Sequence, residues 1–276
     1  MRKKLIFTAV LIAVLGVLFL VLGVDYSIET TFYTVKNEHS NEKIRIALIT
    51  DLHSCHYGKN QKEILDAIRA QNPDMVLFGG DIIDDRLPEE NAVIVLTELA
   101  KDYECYYVSG NHENYTERVE EIKDLVRSCG VTVLEETNRK MYSPTDFETI
   151  DIYGIDDKDI YTWSYNYIDH IKASTENDYF SNSFNILLAH RPEFPEEYSE
   201  IGFDLVLSGH AHGGQWRIPG ILEGFYAPDQ GFFPKNSGGI YELNGTTMIV
   251  SRGLAKESTR LPRIFNRPEL VIIDII

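Results

Sequence analysis

An α/β domain built on two β-sheets, with one apolar helix ahead of it, is the fold class this sequence predicts. Three observations carry the prediction. Short β-rich apolar runs alternate with amphipathic helical patterns in the first half of the chain, strands with fewer helices between them fill the second half, and the uncharged run Leu5–Val24 precedes both. Strand and helix alternating at this spacing argue for βαβ units and a parallel sheet. The strand-rich second half adds a mixed sheet packed on the first.

The elements follow in order. "MRKKLIFTAVLIAVLGVLFLVLGVDYS" is long enough, as a helix, to cross a bilayer. It has no small-residue cleavage site, so residues 1–25 read as an uncleaved signal-anchor. Arg2, Lys3 and Lys4 precede the run and keep the N-terminus in the cytoplasm. The expectation is a single-pass protein of the cell membrane with its domain on the extracytoplasmic side. Residues 26–43 read as a juxtamembrane segment, with an edge strand at Thr31–Val35 and a linker at Lys36–Lys43. From residue 44 to 276 the main domain begins with the strand Ile44–Thr50 and the helix Asn60–Asn72, which gathers Ile64, Leu65 and Ile68 on one face. Asp74–Gly80 is a strand, "ENAVIVLTELAKD" a helix, "ECYYVSG" a strand, and "TERVEEIKDLVRSCG" a helix closed by Gly130. "FETIDIYGI", "SFNILLAH", "FDLVLSGH", "GIYELNG", "TTMIVSRG" and "ELVIIDII" are the later strands.

The chain has 276 residues, enough for one well-buried domain beyond the apolar run. Its 43 acidic residues outnumber 26 Lys and Arg, for a formal charge of −17. So acidic a surface is not expected to bind nucleic acid, which needs cationic patches against phosphate. Cys55, Cys105 and Cys129 have neither disulfide-framework nor metal-type spacing.

Polar clusters close five of the strands: Asp51-Leu52-His53, Gly80-Asp81-Ile82-Ile83-Asp84, Gly110-Asn111-His112-Glu113, His190-Arg191 and Gly209-His210-Ala211-His212. Ligands of open α/β sheets gather beyond the carboxyl ends of strands, so these clusters can meet in space. Five of the 8 histidines fall within them. Imidazole nitrogens, carboxylate oxygens and an amide oxygen suit Zn, Mn or Fe. The donors exceed the roughly four that one tetrahedral Zn takes, and fit two metals sharing a carboxylate.

The ordered set Asp-X-His, Gly-Asp-X-X-Asp, Gly-Asn-His-Glu, His and Gly-His-X-His resembles the calcineurin-like metallophosphoesterases over Ile44 to the C-terminus. "GHAHGGQWRIPG", "APDQGFFPKNSGGIYE", "VSRGL" and "PRIFNRPEL" look like the bacterial membrane-associated branch, which includes enzymes similar to UDP-diacylglucosamine pyrophosphohydrolases and general phosphodiesterases. The resemblance implies a four-layer αββα sandwich and two divalent metal ions, Mn, Zn or Fe. Asp51, His53 and His212 would hold one ion, Asn111, His190 and His210 the other, and Asp81 would bridge them. A metal-bridging hydroxide would attack phosphorus, and His112 would serve the leaving oxygen as general acid.

A phosphodiester or pyrophosphate of a lipid-linked or nucleotide-linked compound is the expected substrate. Phosphoprotein phosphatases of the superfamily carry arginine directly after the second aspartate of the Gly-Asp block, where this chain has Asp85. That departure disfavours, without excluding, a phosphomonoesterase acting on nucleotides or proteins. A metal-bound non-catalytic scaffold is the other alternative. The metallo-β-lactamase motif His-X-His-X-Asp-His is absent, since Gly213-Gly214-Gln215 follow His212. Arg191, Arg217 and Arg252 are candidate contacts to substrate phosphate. Trp216, Phe225, Tyr226, Phe232 and Phe233 read either as packing or as an apolar rim for a lipid tail or bilayer.

Overall fold

The computed structural model describes residues 2–37, 43–135, 139–145, 148–157, 183–256 and 261–276. After helix α1 (Arg2–Gly23), the described chain runs β1 (Glu29–Val35), β2 (Ile44–Ile49), α2 (Lys62–Arg69), β3 (Met75–Gly79), α3 (Glu90–Ala100), β4 (Glu104–Val108), α4 (Asn111–Tyr115), α5 (Val119–Ser128) and β5 (Thr132–Val133). The second half holds β6 (Arg139–Thr145), β7 (Glu148–Ile155), β8 (Phe184–Ala189), α6 (Pro195–Ile201), β9 (Leu205–Ser208), the small hairpin β10 (Tyr226–Ala227) and β11 (Gly231–Phe232), then β12 (Gly239–Leu243), β13 (Thr246–Val250) and β14 (Glu269–Ile275).

Two six-stranded sheets form, in the orders β1-β14-β2-β3-β4-β5 and β12-β13-β9-β8-β7-β6. Strands β2 to β5 are mutually parallel, as are β7, β8, β9 and β13, while β14, β12 and β6 enter antiparallel to a neighbour. Both sheets are therefore mixed, as the sequence predicts.

Period-two alternation assigns each strand two buried faces. In β2, Ala47 and Ile49 pack with Ile64 and Ile68 of α2, Val95 and Leu99 of α3 and Val126 of α5. Ile46 and Leu48 turn the other way and meet Ile152, Ile186, Leu188 and Leu207 of the second sheet. The far side of that sheet, with Leu187, Val206 and Met248, is covered by Tyr198 of α6 and by Phe203. Helices, sheet, sheet and helix thus stack in the order αββα.

Two boundaries differ from the sequence reading. The edge strand begins at Glu29 and pairs in parallel with β14 from Glu29↔Glu269 onward, so this part of the juxtamembrane segment is built into the first sheet. Most of the expected linker, residues 38–42, lies outside the described residues. Gly110 is followed by a separate helix, α4, before α5 begins. A membrane-spanning segment was the remaining expectation. Among the described residues no helix is long and apolar enough to cross a membrane. A membrane role for Leu5–Val24 therefore rests on its sequence and on the exposure of α1, whose Ile6, Phe7, Val10, Val14, Val17 and Leu22 are covered by no part of the chain.

Candidate metal centre

Each candidate ligand follows the carboxyl end of a parallel strand: Asp51 and His53 after β2, Asp81 after β3, Asn111 after β4, His190 after β8, His210 and His212 after β9. All seven are buried. The backbone turns so sharply that Asp51, His53, Asp81, His210 and His212 have positive φ, between 47° and 66°. That region costs a non-glycine residue of the order of 1 kcal/mol or more, and it persists where the surroundings over-determine the geometry.

Glycines supply the room. A Cβ at Gly110 would stand 2.2 Å from Asp81 Oδ1, and one at Gly209 would stand 2.5 Å from Asp51 Oδ2. The same holds at Gly253, where a Cβ would lie 2.6 Å from the Asp51 side chain. Its loop is pinned by the fully buried Arg263, which donates to the carbonyls of Ala255, Arg252 and Gly253.

The side chains converge. Asp81 Oδ2 lies 3.2 Å from His190 Nε2 and 3.6 Å from His53 Nε2. Asp51 Oδ1 is 3.9 Å from His212 Nε2, and both Asp51 oxygens accept from the His210 amide. Four groups of ligand atoms could each hold an ion among the described residues: Asp51, His53 and His212; His53, Asp81 and His112; Asp84, Asp85 and His112; and Asp81, His190 and His210. The first and last coincide with the two halves of the sequence-predicted set, except that Asn111 has no place in a group restricted to His, Cys and carboxylates.

Outer contacts choose which imidazole nitrogen faces inward. His53 Nδ1 is 2.9 Å from Asp84 Oδ2, and His190 Nδ1 is 2.8 Å from the Gly79 carbonyl, which leaves each Nε2 for the centre. His53 Nε2, Asn111 Oδ1 and His212 Nδ1 are buried with no hydrogen-bond partner. Burial without a partner is costly for such atoms, and a cation between them removes the cost. The donor set therefore fits N/O-ligated divalent metal.

The electrostatics of the bare site say the same. Burial alone would raise the Asp81 carboxyl, but the charge of His190 outweighs it and holds Asp81 well below the usual carboxylate range. Burial pulls His190 down, yet Asp81 and Asp51 push it up to about 10. Burial dominates at His210, which falls to about 4, and at His212, which falls well below the imidazole range with help from the charge of His53. His210 and His212 are thus held neutral, as metal ligation requires, while His190 and His53, both raised against burial by the neighbouring carboxylates, would give up a proton to a bound cation.

His112, at the start of α4 and partly exposed, meets the His53 ring edge-on with centroids 4.4 Å apart. Its Nδ1 lies 2.7 Å from Asp85 Oδ1 and 3.6 Å from Asp84 Oδ2. The residue that replaces the phosphatases' arginine thus engages the imidazole, while Arg86 points to solvent and pairs with Asp85.

Two sequence candidates lie differently from expectation. Arg191 is buried beside His210, but its Nε is 2.8 Å from Asp157 and its Nη1 2.5 Å from Asp229. Arg252 Nη2 lies 2.8 Å from both Glu29 and Glu269, where β1 and β14 begin. Both guanidiniums are matched by carboxylates of the chain, which corrects the expectation of free phosphate contacts. Sequence reasoning passed over those carboxylates and Glu193, whose buried oxygens lack partners and whose acid is raised by burial to about 7. Asp157 follows β7 as the ligands follow their strands, and that position was the one signal available. His56, set aside in the sequence, is exposed, and Cys55 is buried and accepts from the Lys256 amide.

Two mixed sheets that carry a buried Asp/His/Asn set at their shared edge define a metallophosphoesterase. The family described as calcineurin-like phosphoesterase matches residues 44–214, and the chain belongs to it. It is a metal-dependent phosphoester hydrolase. The Bacillus subtilis protein called uncharacterized metallophosphoesterase YkuE is 29% identical over 261 residues, 91% of this chain and 86% of that protein. Escherichia coli phosphodiesterase YaeI is 28% identical over 239 residues, 84% of this chain and 82% of that protein. The solved structure of Haemophilus influenzae NAD nucleotidase (NadN) superposes with a TM-score of 0.51 at 17% identity, over 78% of this chain and 46% of that one, and shares the fold.

Proposed function

We propose that this chain hydrolyses a phosphodiester or pyrophosphate bond of a lipid- or nucleotide-linked substrate at a two-metal centre. Asp51, His53 and His212 would hold one ion and Asn111, His190 and His210 the other, with Asp81 shared between them. The observation that carries the reading is the convergence of His53 Nε2 and His190 Nε2, both buried without a hydrogen-bond partner, on Asp81 Oδ2, with His212 Nε2 beside Asp51. When bound, divalent ions supply a nucleophile at neutral pH and neutralise charge that develops at phosphorus. Asp81 Oδ1 also accepts from the His112 amide at 2.8 Å, which ties α4 to the centre. His112, its Nδ1 on Asp85, offers the proton of Nε2 to the leaving oxygen, a contribution of about 10²–10⁴ in rate. The absence of a guanidinium beside Asp84 favours a diester over a dianionic monoester, and a relative carries the name phosphodiesterase.

Leu5–Val24 tethers the domain to the cell membrane, on the extracytoplasmic side. Support comes from its length without charge, from Arg2, Lys3 and Lys4 before it, and from the exposed apolar surface of α1.

The test uses the full chain in detergent, stripped of metal and reloaded with Mn or Zn, on an aryl phosphodiester and the matching monoester. Metal-dependent diester cleavage that Asp81→Asn abolishes and His112→Ala slows 10²-fold or more is expected. A monoester preference would replace the substrate class with the phosphomonoesterase alternative. Metal binding without turnover of these esters or of a lipid-linked pyrophosphate would replace the enzyme with the scaffold.

A further inference from the structure

Outside α1, exposed apolar side chains among the described residues include Phe32, Tyr115, Ile240 and Ile276 at separate places and one group that is clustered. Ile221 is 82% exposed, Phe233 66%, Phe232 64%, Leu261 44% and Tyr226 39%. They belong to two neighbouring segments, Ile221–Phe233 and Leu261–Phe265, which are stitched together around Trp216. The Trp216 indole donates to the Pro262 carbonyl at 3.0 Å, and Trp216 and Ile264 bridge as strands do. Trp216 stacks on Phe225 at 5.5 Å, and the Phe225 ring meets Phe232 at 5.3 Å and Phe233 at 5.8 Å.

The same cluster receives the end of α1. Phe19 packs edge-on against Phe265 at 5.1 Å, the Phe265 amide donates to the Gly23 carbonyl at 2.6 Å, and a Cβ at Gly23 would stand 2.6 Å from Ile264 Cγ2. An unbroken line of apolar contacts therefore runs from α1 through Phe265, Ile264, Trp216 and Phe225 to Phe232 and Phe233. Its far end reaches the metal centre. The β10–β11 turn carries Asp229, whose Oδ2 lies 3.1 Å from His210 Nε2.

We propose that this aromatic face rests in the lipid–water interface of the membrane that α1 enters, so that the mouth of the metal centre opens at headgroup level. The inference depends on the tether reading above and extends it to where the site sits. A bilayer is the occupant because the face is continuous with the exposed apolar surface of α1, which hydrocarbon alone among common surroundings covers on all sides. Its composition agrees: a cluster of Phe, Tyr and Trp is the chemistry of interfacial belts. Burying two phenylalanines and an isoleucine in this way favours the docked tilt of a domain already held by a helix. Substrates that present a phosphate ester at the lipid surface would then reach the site without leaving the bilayer.

The full chain, reconstituted into vesicles of phosphatidylethanolamine and phosphatidylglycerol, tests this with an environment-sensitive fluorophore on Phe232→Cys, Ile221→Cys or Lys101→Cys. Lys101 is exposed and lies just before β4, at the strand end opposite the ligands. The unsubstituted chain corrects for labelling of native thiols. The expected result is flotation with the vesicles, and roughly twofold or greater quenching of the 221 and 232 labels by brominated acyl chains, with none at 101. Flotation with all three labels equally exposed to water would overturn the docked face and leave the tether intact. A chain that does not float overturns the tether and the docked face together. Blue-shifted emission at 221 and 232 that brominated lipid leaves untouched would assign the face to a protein surface and overturn the inference.

Discussion

Glu113 offers the sharpest test of how the centre is held. Its carboxylate is fully buried and accepts four backbone N–H groups: Asp81 at 3.0 Å and Gly110 at 2.8 Å on Oε2, Ile82 at 2.8 Å and Ile83 at 2.9 Å on Oε1. One side chain thus clamps the turn after β3 to the turn after β4, and so sets Asp81 against Asn111. Burial and the charge of Asp81 raise the acid, and the N–H donors oppose them. In Glu113→Gln the shape survives, but one oxygen becomes NH₂ and faces two N–H donors. Two buried donors lose their acceptor, at about 1–3 kcal/mol each, or about 2–6 kcal/mol together. Glu113→Ala strands all four, roughly 4–12 kcal/mol, which is comparable to the whole stability of an ordinary domain. Urea unfolding of the metal-free chain should therefore show Glu113→Gln clearly destabilised and Glu113→Ala recovered poorly folded or not at all. Calorimetry on the Gln variant should show metal affinity reduced about 10–100-fold, as for loss of an outer-sphere partner. A Glu113→Gln protein within about 0.5 kcal/mol of the parent, with unchanged metal binding, would refute the clamp.

Three further outcomes follow from the geometry. Gly110→Ala places a Cβ 2.2 Å from Asp81 Oδ1 although its own backbone is ordinary, so it should weaken metal binding at least about tenfold by isothermal titration while a folded circular dichroism spectrum is retained. Maleimide at neutral pH should modify only Cys129 in the folded chain, since Cys55 and Cys105 are buried and burial pushes the Cys105 thiol up to about 12. Mass spectrometry after brief labelling reads this directly. That same thiol gives an alkaline limit. Below pH 9 it is protonated folded and unfolded and contributes nothing, but from pH 9 to about 12 only the unfolded chain releases the proton, so stability falls as pH rises. Thermal melts at pH 8 and pH 10 should separate, and Cys105→Ala should narrow the gap.

How much of this was legible beforehand depends on the range of the physics. The candidate ligands were placed together at one edge because each is fixed locally. A buried parallel strand must end in a turn, a turn that admits close approach needs glycine, and a polar residue placed there faces the sheet's carboxyl edge. Gly80-Asp81, Gly110-Asn111 and Gly209-His210 state that requirement in two adjacent letters each. Strand periodicity likewise gave β2, β3, β4, β8, β9, β12 and β14 within a residue or two, and β13 within three. The helix of Gly110-Asn111-His112-Glu113 escaped notice because five residues are too few for a 3.6-residue period to register.

Charge pairing was not legible, because its partners are distant in sequence. Arg191 finds Asp157 and Asp229, Arg252 finds Glu29 and Glu269, and His112 finds Asp85 in preference to Asp84. Nothing in the neighbourhood of either arginine distinguishes a free cation from a neutralised one. The clamp of Glu113 and the continuity of α1 with the aromatic hairpin belong to the same category. By itself the sequence determined the layers, the edge where chemistry gathers and the donor atoms, since these follow from burial and backbone conformation within each strand and its turn. Tertiary structure alone decided which charges are cancelled, which ring nitrogen faces inward and which apolar face stays open. Those depend on Coulomb and contact interactions that act over a few ångströms in space between residues tens to hundreds of positions apart.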